Sequence, residues 1–155
     1  MKEKFYFEHY REGDQYKTVS YTVSKEDIIE FAKKWDPQPF HIDEAAAKAS
    51  IFGGLTACSA HIFAIYCITS QQWENGVEQQ ALASLGFDEM RMHMPVFAGD
   101  TVYCLNKVEM VRESTSKPDR GIVATRCELI NQRGEVVFSI LSTYLMKRLS
   151  PSPSP

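Results

Sequence analysis

Residues 57–73 read ACSAHIFAIYCITSQQW. Ala57, Cys58, Ala60, Ile62, Phe63, Ala64, Ile65, Tyr66, Cys67 and Ile68 leave no polar side to the helix this stretch predicts. A helix that is apolar on every side has to be buried. Asn75-Gly76 supplies the signal for its C-terminal end. Downstream, residues 81–92, 101–113, 121–131 and 135–148 are rich in β-formers. Turns at residues 95–100, 116–120 and 131–134 separate them. A long apolar helix followed by antiparallel strands needs cover, and a strongly curved sheet wrapped around the helix supplies it. The expected class is therefore α+β, a curved antiparallel sheet around a long central helix.

Upstream, residues 15–22 predict a strand. Ser24 is an N-cap with Asp27 three positions on, in the manner of a capping box. Ile28, Ile29, Phe31, Ala32 and Trp35 recur at helical spacing. That helix must stop near Asp36, because the residue before Pro37 avoids the helical region. Residues 36–42 then read as a loop. A short helix follows, capped by Asp43 and carrying a Glu44/Lys48 pair. Phe52-Gly53-Gly54-Leu55 is a hinge into the central helix. Residues 1–149 are expected to form one domain. Residues 150–155, SPSPSP, are expected to be a disordered Ser/Pro tail.

The 155 residues suit one domain, and 44% hydrophobic with 24% charged residues suits a soluble core-forming chain. The net charge of −3 and the absence of a basic patch argue against a nucleic-acid partner. Cys58, Cys67, Cys104 and Cys127 fall in apolar segments without C-x-x-C spacing and read as reduced core residues. The N-terminus has no apolar run of signal-peptide length, and the long uncharged stretch 49–73 carries too many polar groups for a membrane span. The expectation is a cytoplasmic protein with no membrane partner. With no Gly-rich phosphate loop and no metal-ligand cluster, no cofactor and no metal are expected.

The chemistry concentrates in Trp35-Asp-Pro-Gln-Pro-Phe-His-Ile-Asp43. Two prolines stiffen a loop that holds Asp36 and His41, and a carboxylate and an imidazole so held can share one water or one substrate proton. Taken alone, the same spacing equally serves a turn carboxylate and a helix-capping His. The stretch D-P-Q-P-F-H, followed by D-E-A-A-A-K-A-S and F-G-G-L, resembles the MaoC-like dehydratases and (R)-specific enoyl-CoA hydratases of the hot-dog fold. Asp36, Pro39 and His41 match the hydratase pattern. A second block, Leu85-Gly-Phe-Asp-Glu-Met-Arg91 with Pro95-Val96 and Gly99-Asp-Thr101, resembles the family's strand, P-V loop and G-D turn. The likeness covers residues 15–148.

That resemblance implies a hydratase or dehydratase acting on a 2-enoyl or (R)-3-hydroxyacyl thioester of CoA or acyl carrier protein. Asp36 and His41 would be its acid–base pair. Backbone N–H groups at the start of the central helix would polarise the thioester carbonyl, with Gly54, Cys58 and Ser59 as substrate-binding residues. A homodimer or an assembly of dimers is implied too, since a single sheet leaves an open edge. Ser59 and Ala60 stand where the family commonly has Gly and Trp, and Ala64 where some hydratases carry Ser. Met94 and Phe97 stand where relatives often carry basic residues, so no residue is assigned to CoA phosphates.

Other candidates are weaker. Cys58 and His61 could touch at i,i+3, but a buried Cys is usually packing. His9 and His93 have no partner in the sequence. Two other functions compete with the hydratase. One is a hot-dog thioesterase, disfavoured because the central helix has no Asp or Glu between Leu55 and Gln72. The other is a non-catalytic acyl-thioester-binding domain, favoured by Ser59 and Ala60 and opposed by the retained Asp36 and His41.

Overall fold

The computed structural model describes residues 1–151; the remainder of the SPSPSP tail, 152–155, lies outside the described residues. Elements in chain order are β1 (Lys4–Phe5), a 3₁₀ turn (Phe7–His9), β2 (Gln15–Lys17), β3 (Tyr21–Thr22), α1 (Lys25–Trp35), α2 (Pro39–Ile42), α3 (Glu44–Lys48), α4 (Ser59–Thr69), β4 (Glu78–Gln79), β5 (Ala81–Met92), β6 (Thr101–Glu113), β7 (Arg120–Asn131) and β8 (Val136–Lys147). The main sheet runs β2-β6-β7-β8-β5, with β3 also on β6. Its long pairs are all antiparallel. The sheet packs on α4, so the α+β hot-dog class read from the sequence is the class observed.

Two clusters make the core. The larger joins Ile62, Ile65 and Tyr66 of α4 to Val102, Cys104, Cys127, Leu129, Phe138 and Ile140 of the sheet. Val23 and Ile28 seal its other side. The smaller gathers Phe7, Tyr10, Trp73, Val108, Val123 and Met146 at the opposite end. There Tyr16 stacks flat on Trp73 at 4.0 Å.

The four predicted long strands are β5 to β8. Three expectations need correction. The 15–22 strand is two short ones, because the regular ladder is interrupted at Thr18: its N–H donates to the Cys104 carbonyl, but the Cys104 amide donates to its side-chain Oγ1 in place of its carbonyl, and Thr18 bridges Trp73. The central helix ends at Thr69 rather than near Trp73. Beyond it the chain pairs with the β2 edge, where the Val19 N–H donates to the Gln72 carbonyl and the Glu74 N–H to the Lys17 carbonyl. Residues 39–42 are one helical turn, α2, not loop, started by Pro39 at a position where its missing N–H is not needed. The parallel pair β1·β4 had no signal in so short a run.

α4 is also less enclosed than its composition implies. Ser59, Ala60 and Ile68 are exposed in the single chain. The caps behave as read: the Asp27 N–H donates to Ser24 Oγ at 3.1 Å and the Ala46 N–H to Asp43 Oδ1 at 2.7 Å. Ser150, first of the tail, accepts from Arg148 Nε through its carbonyl.

Gly121 of β7 lies under the Phe7 ring, and a Cβ there would overlap it. Gly121→Ala is expected to cost about 1–3 kcal/mol by overpacking. Thermal unfolding checks this: the loss should shrink when Gly121→Ala is introduced into a Phe7→Leu background.

Candidate active site

Asp36 is the C-cap of α1, its N–H donating to the Ala32 carbonyl. Pro37 then forbids a further helical turn. The chain restarts at Pro39, and His41 falls on the inner side of α2, buried. His41 Nδ1 lies 2.7 Å from the Thr56 carbonyl oxygen. A carbonyl oxygen only accepts, so Nδ1 carries the proton and donates it. In the neutral ring Nε2 is then the lone-pair nitrogen, and it points at Asp36 Oδ2, 4.0 Å away. That distance is too long for a direct hydrogen bond. Two acceptors facing each other at this separation suit one water that donates a hydrogen to each.

Thr56 is held by the second motif block. The Ala57 N–H donates to the Val96 carbonyl, the Ala98 N–H to the Leu55 carbonyl, and Thr56 bridges Phe97. The P-V loop therefore sets the carbonyl that orients His41. Two stretches that are distant in sequence meet here through backbone alone. Thr56 was not among the candidates, because an orienting carbonyl leaves no side-chain signature. Its hydroxyl Oγ1 is buried with no partner among the described residues.

The start of α4 adjoins this pair. Cys58 is the N-cap and is buried. Burial pushes its thiol pKa up, and the Asp36 carboxylate adds to that rise. Cys58 is thus a protonated packing group, and the Cys58–His61 nucleophile has no support. Ser59 opens the helix and is exposed. The first N–H groups of a helix have no intrahelical acceptor and carry its positive end. Gly54 packs on the Phe97 ring, where a Cβ would sit at 3.5 Å, an ordinary contact. The structure thus brings Asp36 and His41 together and ties His41 to Thr56, two residues before the Cys58 N-cap of α4, while Gly54 packs on Phe97 of the P-V loop.

His61 stacks on Phe31 at 4.5 Å, and its Nδ1 is buried without a partner. His93, on the sheet edge, shares a 2.7 Å hydrogen bond with Ser139. His9 Nδ1 accepts from the Tyr6 amide. Among the described residues no three His, Cys, Asp or Glu side chains converge as metal ligands, and no helix is long and apolar enough to cross a membrane.

The fold is that of the MaoC-like hot-dog class, whose members include dehydratases and hydratases. The chain belongs to the MaoC-like hot-dog family: residues 11–140 match the family described as "FAS1-like, dehydratase domain region". It is 30% identical to the Bacillus subtilis (strain 168) protein YdeM over 138 residues, 88% of this chain and 94% of that one. The MaoC-like dehydratase from Rhodospirillum rubrum superposes with a TM-score of 0.85 at 33% identity, covering 94% of this chain and 99% of the other. A mesaconyl-CoA hydratase from Cereibacter sphaeroides is 32% identical over 82 residues, 51% of this chain and only 24% of that protein.

Burial lowers the His61 pKa, against an opposing pull from Asp27. The folded protein thus prefers the neutral ring, while the unfolded chain takes up a proton near pH ~6.5. The stability this group supports is present above that pH and is lost as the pH falls through the folded value. His61→Leu should flatten the acid-side fall of melting temperature between about pH 6.5 and 5 relative to wild type. Parallel curves would sink the assignment.

Proposed function

We propose that this chain is a hydratase/dehydratase that interconverts a 2-enoyl thioester and an (R)-3-hydroxyacyl thioester, on CoA or acyl carrier protein. One observation carries the reading: His41 is locked by the Thr56 carbonyl so that Nε2 and Asp36 Oδ2 face each other at 4.0 Å. In hydration, a water held between them loses one proton to the pair. Its oxygen bonds to the β-carbon, and the double-bond electrons move to the thioester oxygen. The amides at the start of α4, Ser59 and Ala60, stabilise that enolate oxygen. Collapse of the enolate returns the pair's proton to the α-carbon. One proton leaves the water and one reaches the substrate on the same face, so the pair ends as it began. Dehydration is the reverse. No Asp or Glu lies on α4 to serve as the base of a thioesterase.

Asp36→Asn keeps the shape and removes the base. It should lower kcat by about 10²–10⁴-fold on an enoyl-CoA panel, and His41→Ala likewise. The double variant should be barely worse than either single one, because the two act as a unit. Wild-type hydration rates in both single variants would refute the pair.

The working form is proposed to be a homodimer in the cytoplasm. β5 is a twelve-residue edge strand paired on one side only, to β8. It exposes Leu85, Phe87, Met90 and Met92, and Phe87 meets Phe63 of α4 edge-on. A long apolar edge of this kind calls for a covering partner. A second copy, docking edge to edge, also covers the open side of α4. All four cysteines are free, which fits a reducing compartment. Light scattering at micromolar concentration should return twice the chain mass, and Leu85→Asp should shift it toward the monomer. A stable wild-type monomer would refute the dimer.

A further inference from the structure

A cavity of about 320 Å³ lies between the C-terminal half of α4 and the inner face of the sheet, flanked by β5. Tyr66, Cys67 and Ser70 roof it. A helix rises ~1.5 Å per residue, so this roof begins, at Tyr66, about 10 Å along α4 from Ser59. The reacting carbons at Asp36 and His41 are therefore elsewhere. An acyl chain laid along the helix from Ser59 would reach this cavity with its far end.

The floor is unusual for the inside of a sheet. Asn106 of β6, Thr125 of β7 and Ser142 of β8 all point in and are all buried. Thr125 and Ser142 are directly paired across the ladder. Inward positions on these strands are otherwise taken by Val102, Cys104, Val108, Val123, Leu129 and Ile140. Burying a polar group costs free energy unless a partner receives it.

Thr125 has such a partner, sharing a 2.7 Å hydrogen bond with the Tyr144 hydroxyl. Asn106 is only half satisfied. The Cys104 thiol donates to its Oδ1 at 3.3 Å, and the neighbouring Cys127 together with burial raises the Cys104 pKa. The Asn106 amide nitrogen, on a side chain 2% exposed, has no partner. A buried donor left open in a cavity calls for an acceptor from outside the chain.

None of the described residues lining this cavity is charged. Burial pushes the Tyr144 phenol up to about 12 and raises that of Tyr66 further still. A carboxylate here would meet no cation and would be costly to desolvate. A plain alkyl chain would leave the Asn106 amide unpaired.

We propose that this cavity selects acyl chains bearing a neutral hydrogen-bond-accepting oxygen on their distal part, received by Asn106 Nδ2. The assignment rests on the acyl-thioester reading above and makes Asn106 a specificity residue. It sets this chain's acyl end apart from a dicarboxylic one.

The test compares chain-matched 2-enoyl-CoA thioesters with and without one distal keto oxygen. It is run beside calorimetric titration of the corresponding saturated, non-hydratable thioesters. Wild type should favour the keto chain by about tenfold or more in kcat/KM and in Kd, since a site built to bond an oxygen rejects the analogue lacking it. In Asn106→Leu that ratio should fall to about one or invert. The wild-type ratio decides the matter even if the variant fails to fold. Hydration of the whole panel without preference overturns the cavity assignment, leaves the hydratase reading standing and makes this a solvent-filled void. Keto-selective binding without hydration of any member supports the cavity assignment and overturns the hydratase reading instead.

Discussion

A helix with almost no polar side chain has to be covered, and the rest of this molecule is arranged by that need. α4 presents Ile62, Ile65 and Tyr66 to the sheet. The sheet answers with Val, Leu, Ile and Phe from three neighbouring strands, β6, β7 and β8. Fully burying side chains of that size is worth roughly 1.5–3 kcal/mol each, which dwarfs what the short β1–β4 elements contribute by hydrogen bonding. The first turn of α4 is nonetheless left open to solvent. A buried helix with an accessible N-terminus leaves backbone N–H groups without intrahelical acceptors at its exposed first residues, Ser59 and Ala60.

Asp36 and His41 depend on the same constraint at one remove. Their loop is positioned by α1 and α2, but the tautomer of His41 is set by the Thr56 carbonyl. Thr56 is in turn fixed by hydrogen bonds between its neighbours and the P-V loop. Asp36 and His41 are therefore held by main chain on one side and by prolines on the other. Backbone placement tolerates changes such as Ser59 and Ala60 nearby, because an amide N–H survives most side-chain substitutions.

The sheet edge and the inner cavity are where the described residues leave apolar surface and polar groups unmatched. β5 is bulged at three places, and Glu89 there adopts a positive φ of 52° while its carboxylate pairs with Arg126 at 2.6 Å. Bulges raise local twist and limit uncontrolled edge pairing. The apolar side chains of that edge remain exposed all the same. The cavity behind it holds polar groups where packing alone would place methyls. Neither feature adds to the packing that stabilises the single chain.

The strand order along the chain, the caps at Ser24 and Asp43, the α4 stretch and the Asp36/His41 motif were legible in the sequence. Each rests on local pattern: side-chain periodicity, capping chemistry, proline stereochemistry and a motif whose spacing survives without contacts. Local pattern failed where distant backbone intervened. α4 stops at Thr69 because residues 72–74 are claimed by β2 and the chain after it, and the 15–22 strand breaks because Thr18 bonds Cys104 and Trp73. The lone-pair nitrogen of His41, the unpaired amide of Asn106 and the open face of β5 belong to tertiary structure alone. Each is defined by which donors and acceptors three-dimensional packing leaves unmatched, and a list of residues holds no record of that.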